Sequence, residues 1–301
     1  MLNFVTALDS NFIIPTSTML FSLDNNLEVT SRCYILCNKN DFQNVSKVLN
    51  AIKFKKLSIR IVEVSKSLIN QAIQMNGIMH FTNAAIYRIF MASLLDTNIN
   101  SIIYLDGDLF IRKRINESLF PNTIFSAHIE KKAAIEAIIV DNYFNSGVFT
   151  TQLDFWRENN IEIQLVNFLE KNLQSVYKDQ DALNNVFANL NFFPLPEGLN
   201  YILKSQNRKD LKKSDPYIVH FAGHMKPWLR YTPNSKYVKE WRTVAKQIHN
   251  EFYVDKKNLD FLKRIGYKIY LNKYYKFMKF AILKQNALTK KNKIIGINQV
   301  K

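Results

Sequence analysis

The 301-residue chain is poor in glycine and proline, with seven of each, and has only two cysteines. So little Gly and Pro excludes collagen-like and linker-like tracts, and leaves each glycine to answer a local conformational need. Cys33 and Cys37, in RCYILC, cannot found a disulfide framework. Same-face residues four apart on a strand lie beyond bridging distance, so both read as buried free thiols in a reducing compartment. No run of 18 apolar residues occurs, so no membrane-spanning helix is expected. The opening MLNFVTALDSNF lacks the basic region of a signal peptide. Acidic residues are also scarce: 25 Asp and Glu stand against 41 Lys and Arg, a net charge of +16 that points to an anionic partner. The excess is local, since residues 251–301 hold 13 Lys/Arg and 3 Asp/Glu, or +10 of the +16.

What remains is an ordinary globular composition, 47% apolar and 22% charged, long enough for a sizeable core. Strand and helix patterns alternate. NFVTALD (3–9), RCYILC (32–37), LSIRIVEV (57–64), SIIYL (101–105), YFNSGVFTTQL (143–153) and PYIVHF (216–221) read as strands. TSTMLFSLDNN, FQNVSKVLNAIKF (42–54), NAAIYRIFMASLL (83–95), DFWRENNIEIQLVNFLEK and QDALNNVFANL (180–190) read as helices. SIIYL is almost continuously apolar, as in a central strand of a mainly parallel sheet. The alternation predicts an α/β doubly wound domain over residues 1–235, and a basic, aromatic, mainly helical region over 236–301.

The central strand ends in IIYLDGDLFI, with Asp106 and Asp108 separated only by Gly107. Two carboxylates this close repel and raise each other's pKa unless a cation lies between them. In open α/β sheets, ligands bind beyond the carboxyl ends of the strands. His220 ends another buried strand, and two carboxylates with an imidazole suit Mn(II) or Mg(II) with positions left for phosphate oxygens. HFAGHMKPW (220–228) adds Gly223, which permits close backbone approach, and Lys226, which can neutralise a phosphate. Such a set forms a diphosphate clamp for a leaving group that gains negative charge.

These blocks together resemble glycosyltransferase family 8, the retaining GT-A enzymes that include bacterial lipopolysaccharide galactosyl- and glucosyltransferases. The resemblance runs over residues 3–230, through ALDSNF (7–12), HFTNAAIYRIF (80–90), IIYLDGDLFI, YFNSGVFTTQLDFWRE (143–158), KDQDALN (178–184), LPEGLNYI (195–202) and HFAGHMKPW. It implies a GT-A fold, Rossmann-like with a mainly parallel central sheet, and a UDP-sugar donor. It places Asp106, Asp108 and His220 on Mn(II), and Gly107 with them. Ala7, Asp9 and Asn11 would face the uridine, with Phe12 where the family uses Tyr. His80 and Arg88 would lie near the sugar nucleotide, and Asn145 and Ser146 would line the sugar or acceptor side. Glu130, with His128 beside it, matches the family's acidic sugar contact. Gly223 and Lys226 would bind the diphosphate. Asp179 and Gln180 would stand beside the anomeric carbon, whether retention proceeds through a covalent intermediate or by same-face attack. Asn145 and Gln180 also suit capping of the helices that follow them.

The expected activity is therefore metal-dependent transfer of galactose or glucose from a UDP-hexose to a saccharide or glycolipid acceptor, in lipopolysaccharide or other surface-glycan synthesis. UDP-N-acetylhexosamine is an alternative donor. A haloacid dehalogenase-type phosphatase also places Asp-x-Asp after a strand, but here Phe110 occupies the place of its Thr. A non-catalytic basic protein bound to membrane or nucleic acid is a further alternative, and no nucleic-acid motif accompanies the charge. Over Lys273–Lys284, Tyr274, Phe277, Met278, Ala281 and Ile282 gather on one helical side and the lysines mainly on the other. Such a helix can bind an anionic membrane surface, which predicts a cytoplasmic protein peripheral on the inner face of the plasma membrane.

Overall fold

The apolar alternations of the sequence become one six-stranded sheet, with the neighbouring strands of its centre buried on both faces. The computed structural model describes residues 1–65, 67–68, 86–130, 142–172, 177–187, 190, 192–203, 215–223, 226–229, 232 and 234–249. His80, most of the 80–90 block and the basic stretch 251–301 lie outside these residues.

The sheet contains β1 (Asn3–Ala7), β2 (Ser31–Asn38), β3 (Leu57–Val64), β4 (Ser101–Leu105), β6 (Phe125–Ile129) and β7 (Phe144–Gln152), in the order β3-β2-β1-β4-β7-β6. The pairings among β3, β2, β1 and β4 are parallel. β7 runs antiparallel to both β4 and β6. Alternate residues of the central strands enter two cores. Val5, Tyr34, Leu36, Ile102 and Tyr104 face one, and Phe4, Cys33, Ile35, Cys37, Ile103 and Leu105 face the other.

Each core is covered by helices whose apolar residues recur at helical spacing. α1 (Ile13–Asn26) and α2 (Lys39–Asn50) cover the second face with Met19, Leu20, Leu23, Val45 and Leu49. α3 (Met91–Leu94), α4 (Leu153–Glu158), α5 (Ile161–Lys171) and α6 (Lys178–Phe187) cover the first. Asn38 caps α2 by accepting from the Asp41 N–H at 3.0 Å. Both cysteines are free and buried, and burial pushes the Cys37 thiol up to about 12.

A second, three-stranded sheet has β9 (Ile218–His220) between β5 (Leu109–Ile111) and β8 (Tyr201–Ile202). α7 (Lys236–Ile248) backs onto it through Tyr237, Val238, Trp241 and Ala245. The first residues beyond 235 thus pack on the α/β body. Two sequence expectations change in detail. The helix expected over DFWRENNIEIQLVNFLEK divides into α4 and α5 at Asn160, which holds φ +50, a left-handed conformation that Asn tolerates. Within 83–95, the described residues are helical from Ile86 to Leu94, tightened to a 3-10 turn over Arg88–Phe90 before the short α3.

Asp106, Gly107 and Asp108 are the link from β4 to β5, the point where the chain leaves the large sheet for the small one. That point lies beyond the carboxyl ends of β1 and β4, where the topology places a ligand crevice.

Candidate active site

Strand pairing sets the acidic pair against the histidine. The Asp106 N–H donates to the Gly147 carbonyl at 2.8 Å, which ties the link to β7. Leu109 pairs with His220, and the Phe221 N–H donates to the Asp108 carbonyl at 3.1 Å, which ties it to β9. His220 Nε2 then lies 3.2 Å from Asp108 Oδ1 and 3.8 Å from Asp106 Oδ2. One ligand atom from each of the three residues falls within 4.8 Å of the others.

The two glycines here answer close approach. A Cβ on Gly107 would lie 2.4 Å from Thr16 Oγ1, and one on Gly147 would lie 2.2 Å from His220 Cε1. Gly223, by contrast, has open space around it but holds φ +78, a conformation that favours glycine.

The Lys226 ammonium pairs with Asp108 Oδ2 and donates to the Phe221 carbonyl at 2.9 Å. Burial alone would push the Asp108 carboxyl up. Lys226 outweighs it, joined by His220 whenever its ring carries the second proton, and holds the group well below the usual carboxylate range. A cation is thus already part of the arrangement at Asp108. Two carboxylates and an imidazole nitrogen converging on one space fit Mn(II) or Mg(II), which take oxygen and imidazole donors. Phe12 meets Trp228 edge-on at 5.6 Å, connecting the β1 end of the crevice to the 220–228 block.

Behind the acidic pair lies Arg88, 5% exposed. Its guanidinium reaches Asp106 Oδ1 at 3.0 Å and Asp179 Oδ2 at 2.8 Å, donates to the Ser146 carbonyl at 2.9 Å, and stacks over Tyr104 at 4.6 Å. The Arg88–Asp179 contact is an ion pair without the alignment of a hydrogen bond, and among the described residues Asp179 Oδ2 has no hydrogen-bond partner. Burial pushes the Asp179 carboxyl up to about 6; Arg88 opposes that shift, and Asp106 adds to it. Lys178, immediately before it, holds φ +41 in the left-handed region.

A polar network joins this side to the histidine. Gln180 Oε1 accepts from the Ser146 N–H at 3.0 Å and from Asn145 Nδ2 at 3.2 Å, while Gln180 Nε2 donates to the Tyr143 hydroxyl at 2.8 Å. Tyr143 donates in turn to Asp181 at 2.8 Å. Asn145 Oδ1 accepts from the Gly147 N–H at 3.0 Å and from Asn200 Nδ2 at 2.9 Å. Asn200 Oδ1 lies 2.9 Å from His220 Nδ1. Neither amide caps a helix as expected: Asn145 is inside β7, and Gln180 is in the first turn of α6 with its amide turned to β7.

The remaining sequence candidates border the same edge of the sheet. Ala7 ends β1, and Asp9 accepts from the Asn11 N–H at 2.9 Å, holding the turn before α1. Burial pushes the Asp9 carboxyl up. Glu130 follows β6 and donates its N–H to the Tyr143 carbonyl at 2.8 Å, at the end of β7 that carries Asn145. Asn200, Tyr143 and Asp181 were not singled out by the sequence. Asn200 sits inside LPEGLNYI, one of the blocks that carry the resemblance, but nothing in the sequence marks its amide as a partner of His220.

A doubly wound sheet with an acidic pair at its switch point, a histidine and a lysine closing over it, defines a GT-A glycosyltransferase. Residues 3–232 match Glycosyl transferase family 8, and the chain belongs to that family. It is 25% identical over 252 residues to General stress protein A of Bacillus subtilis, covering 75% of this chain and 87% of that one. It is 24% identical over 273 residues to the lipopolysaccharide 1,2-glucosyltransferase of Escherichia coli, covering 79% and 76%. Among solved structures, the galactosyltransferase LgtC in complex with donor and acceptor sugar analogs superimposes with a TM-score of 0.64 at 18% identity, covering 82% of this chain and 96% of LgtC. That likeness bears on the fold alone.

Proposed function

We propose that this glycosyltransferase moves a hexose, galactose or glucose, from a UDP-sugar to a saccharide acceptor with retained anomeric configuration, using Mn(II) or Mg(II). The observation that carries the reading is the meeting of Asp106, Asp108 and His220 within 4.8 Å, beyond the carboxyl ends of β1 and β4. A divalent ion held by these three would act as a Lewis acid on the diphosphate, offsetting the charge that develops on departing UDP.

The chain's own groups divide the remaining work. Lys226, which pairs with Asp108, is placed to turn its ammonium onto the donor phosphates. Asp9 and Asn11 face the uridine side of the crevice, and Gly223 lets the backbone approach the diphosphate. Arg88 holds Asp106 and Asp179 in fixed relation, so the metal side and the sugar side share one rigid cation. Glu130, Asn145 and Ser146 border the sugar and acceptor side. Asp179 is tied to Arg88, and Gln180 has both ends of its amide engaged within the network. That arrangement supports electrostatic stabilisation of a cationic anomeric carbon, with the acceptor attacking on the face that UDP leaves.

The relatives named as lipopolysaccharide 1,2-glucosyltransferase and lipopolysaccharide 1,3-galactosyltransferase support surface-glycan synthesis as the setting. Among the described residues no helix is long and apolar enough to cross a membrane. The basic stretch 251–301 is the segment we assign to an anionic membrane surface, on the cytoplasmic side. Sedimentation with anionic against neutral vesicles, comparing the full chain with one ending at residue 250, tests that assignment.

The test of the activity is UDP release from UDP-galactose, UDP-glucose and UDP-N-acetylglucosamine, with and without Mn(II), beside Asp108→Ala. Metal-dependent turnover of one hexose donor, lost in the variant, is the expected result. Preference for UDP-N-acetylglucosamine would replace the hexose assignment. Absence of both turnover and Mn(II)-dependent UDP binding would overturn the reading in favour of a non-catalytic basic protein.

A further inference from the structure

His220 has two ring nitrogens, and only an unprotonated one can take a metal. Which nitrogen carries the proton of the neutral ring is decided by its partners. The structure gives an unbroken chain of donors and acceptors that settles this, starting from a group that cannot rotate. The Gly147 backbone N–H can only donate, and it meets Asn145 Oδ1 at 3.0 Å. Asn145 therefore presents its carbonyl oxygen at that end. A second fixed donor agrees: the Ser146 N–H holds Gln180 Oε1, so Asn145 must turn its NH2 toward Gln180. The Asn200 atom 2.9 Å from Asn145 Oδ1 must then be its NH2. That leaves Asn200 Oδ1 at His220 Nδ1, 2.9 Å away, able only to accept.

We propose that Asn200 is a positioning residue for His220: it keeps the proton on Nδ1, so that the Nε2 lone pair faces Asp106 and Asp108. Asn200 is 0% exposed, buried between the two groups it joins. The ring edge is held from the other side by Gly147, whose Cα leaves no space for a Cβ beside Cε1. Without Asn200 the competing tautomer gains, because an Nε2–H would donate to Asp108 Oδ1, 3.2 Å away, and close the site to a cation. Partners of this kind, bonded to the remote nitrogen of a ligating histidine, fix both tautomer and ring orientation.

The inference rests on the metal-dependent reading above, but its first test needs no metal. Long-range 1H–15N NMR of the full chain, recorded on the neutral ring, reports which nitrogen is protonated. His220 is assigned among the five histidines by the signal lost in His220→Gln. The expected result is an Nδ1–H ring in the wild type and an Nε2–H ring in Asn200→Ala. Mn(II) affinity, measured by electron paramagnetic resonance, should fall about 10–100-fold in Asn200→Ala. An Nε2–H ring in the wild type overturns the proposal, and that measurement decides even if the alanine variant does not fold. So does an Asn200→Ala protein that keeps both the Nδ1–H ring and wild-type Mn(II) affinity. A wild type that has the Nδ1–H ring but binds no Mn(II) would overturn the metal reading and leave the tautomer assignment standing.

Discussion

Arg88 Nε lies 2.8 Å from Asp179 Oδ2, while the same guanidinium reaches Asp106 Oδ1 at 3.0 Å, so one buried cation joins residues 73 positions apart in sequence. Removing one partner of a buried ion pair leaves an uncompensated charge and costs about 3–5 kcal/mol. Arg88→Met leaves Asp106 and Asp179 facing each other across an apolar side chain. Urea denaturation should therefore show a loss of about that size, with the slope of the transition unchanged. Arg88→Lys should recover less than half of it. An ammonium lacks the fork that serves two carboxylates and the Ser146 carbonyl together.

Much of this arrangement was legible in the sequence because it depends on local pattern. Strand β4 is almost continuously apolar and ends on Asp106 and Asp108, so its central place and its ligand end follow from sequence alone. LSIRIVEV became β3 over the same residues, Leu57–Val64. The pairing of β5 with β9 was not legible: it joins Leu109 to His220 across 111 residues, and no local signal encodes that register. For the same reason Asn200 was missed. Its importance comes from Asn145 and His220, which only the folded chain brings to either side of it. The break between α4 and α5 was missed because Asn160 interrupts an otherwise unbroken helical pattern through its backbone conformation alone.

Lys226 and the metal compete for Asp108. The ammonium pairs with Asp108 Oδ2 in the absence of other cations, so Lys226→Met should bind Mn(II) more tightly than wild type when no nucleotide is present, by about tenfold. The same variant should bind UDP more weakly at saturating Mn(II), by about 10–100-fold, the range of a hydrogen bond to a charged group. Titration calorimetry in the two orders of addition measures both. Opposite signs are the signature of a lysine that exchanges a carboxylate for a phosphate; equal losses in both would mean that Lys226 merely supports the fold.

The two close glycines should differ in what they tolerate. In Gly147→Ala the new methyl would meet His220 Cε1 at 2.2 Å and Nδ1 at 2.7 Å, so the imidazole must leave its place. Mn(II) binding should be lost. In Gly107→Ala the nearest atom is Thr16 Oγ1 at 2.4 Å, followed by Phe12 at an ordinary 3.4 Å. Removing that hydroxyl should restore what the methyl disturbs. The double variant Gly107→Ala, Thr16→Ala should therefore bind Mn(II) better than Gly107→Ala alone, a coupling that a double-mutant cycle isolates.

Asp179 gives the protein a pH dependence of known sign. Burial, opposed by Arg88 and reinforced by Asp106, pushes its carboxyl up to about 6, whereas the unfolded chain titrates near the ordinary 3.8. Between those values the folded protein holds the proton that the unfolded chain has released. The stability Asp179 contributes is full below about pH 4, declines as pH rises toward 6, and is absent above it. The span converts to about 3 kcal/mol. Asp179→Asn carries no such dependence and leaves Arg88 paired with Asp106, so it should melt above wild type at pH 7.5, with the gap closing toward pH 4. A variant that melts below wild type at pH 7.5 would mean that the Arg88 ion pair outweighs burial. The same substitution should lower turnover at least 100-fold, because it removes a negative charge placed against the developing cation. It should leave Mn(II)-dependent UDP affinity within a few-fold, because Asp106, Asp108, His220 and Lys226 are untouched. Stability and turnover moving in opposite directions at neutral pH would identify Asp179 as a charge that folding tolerates and the reaction requires.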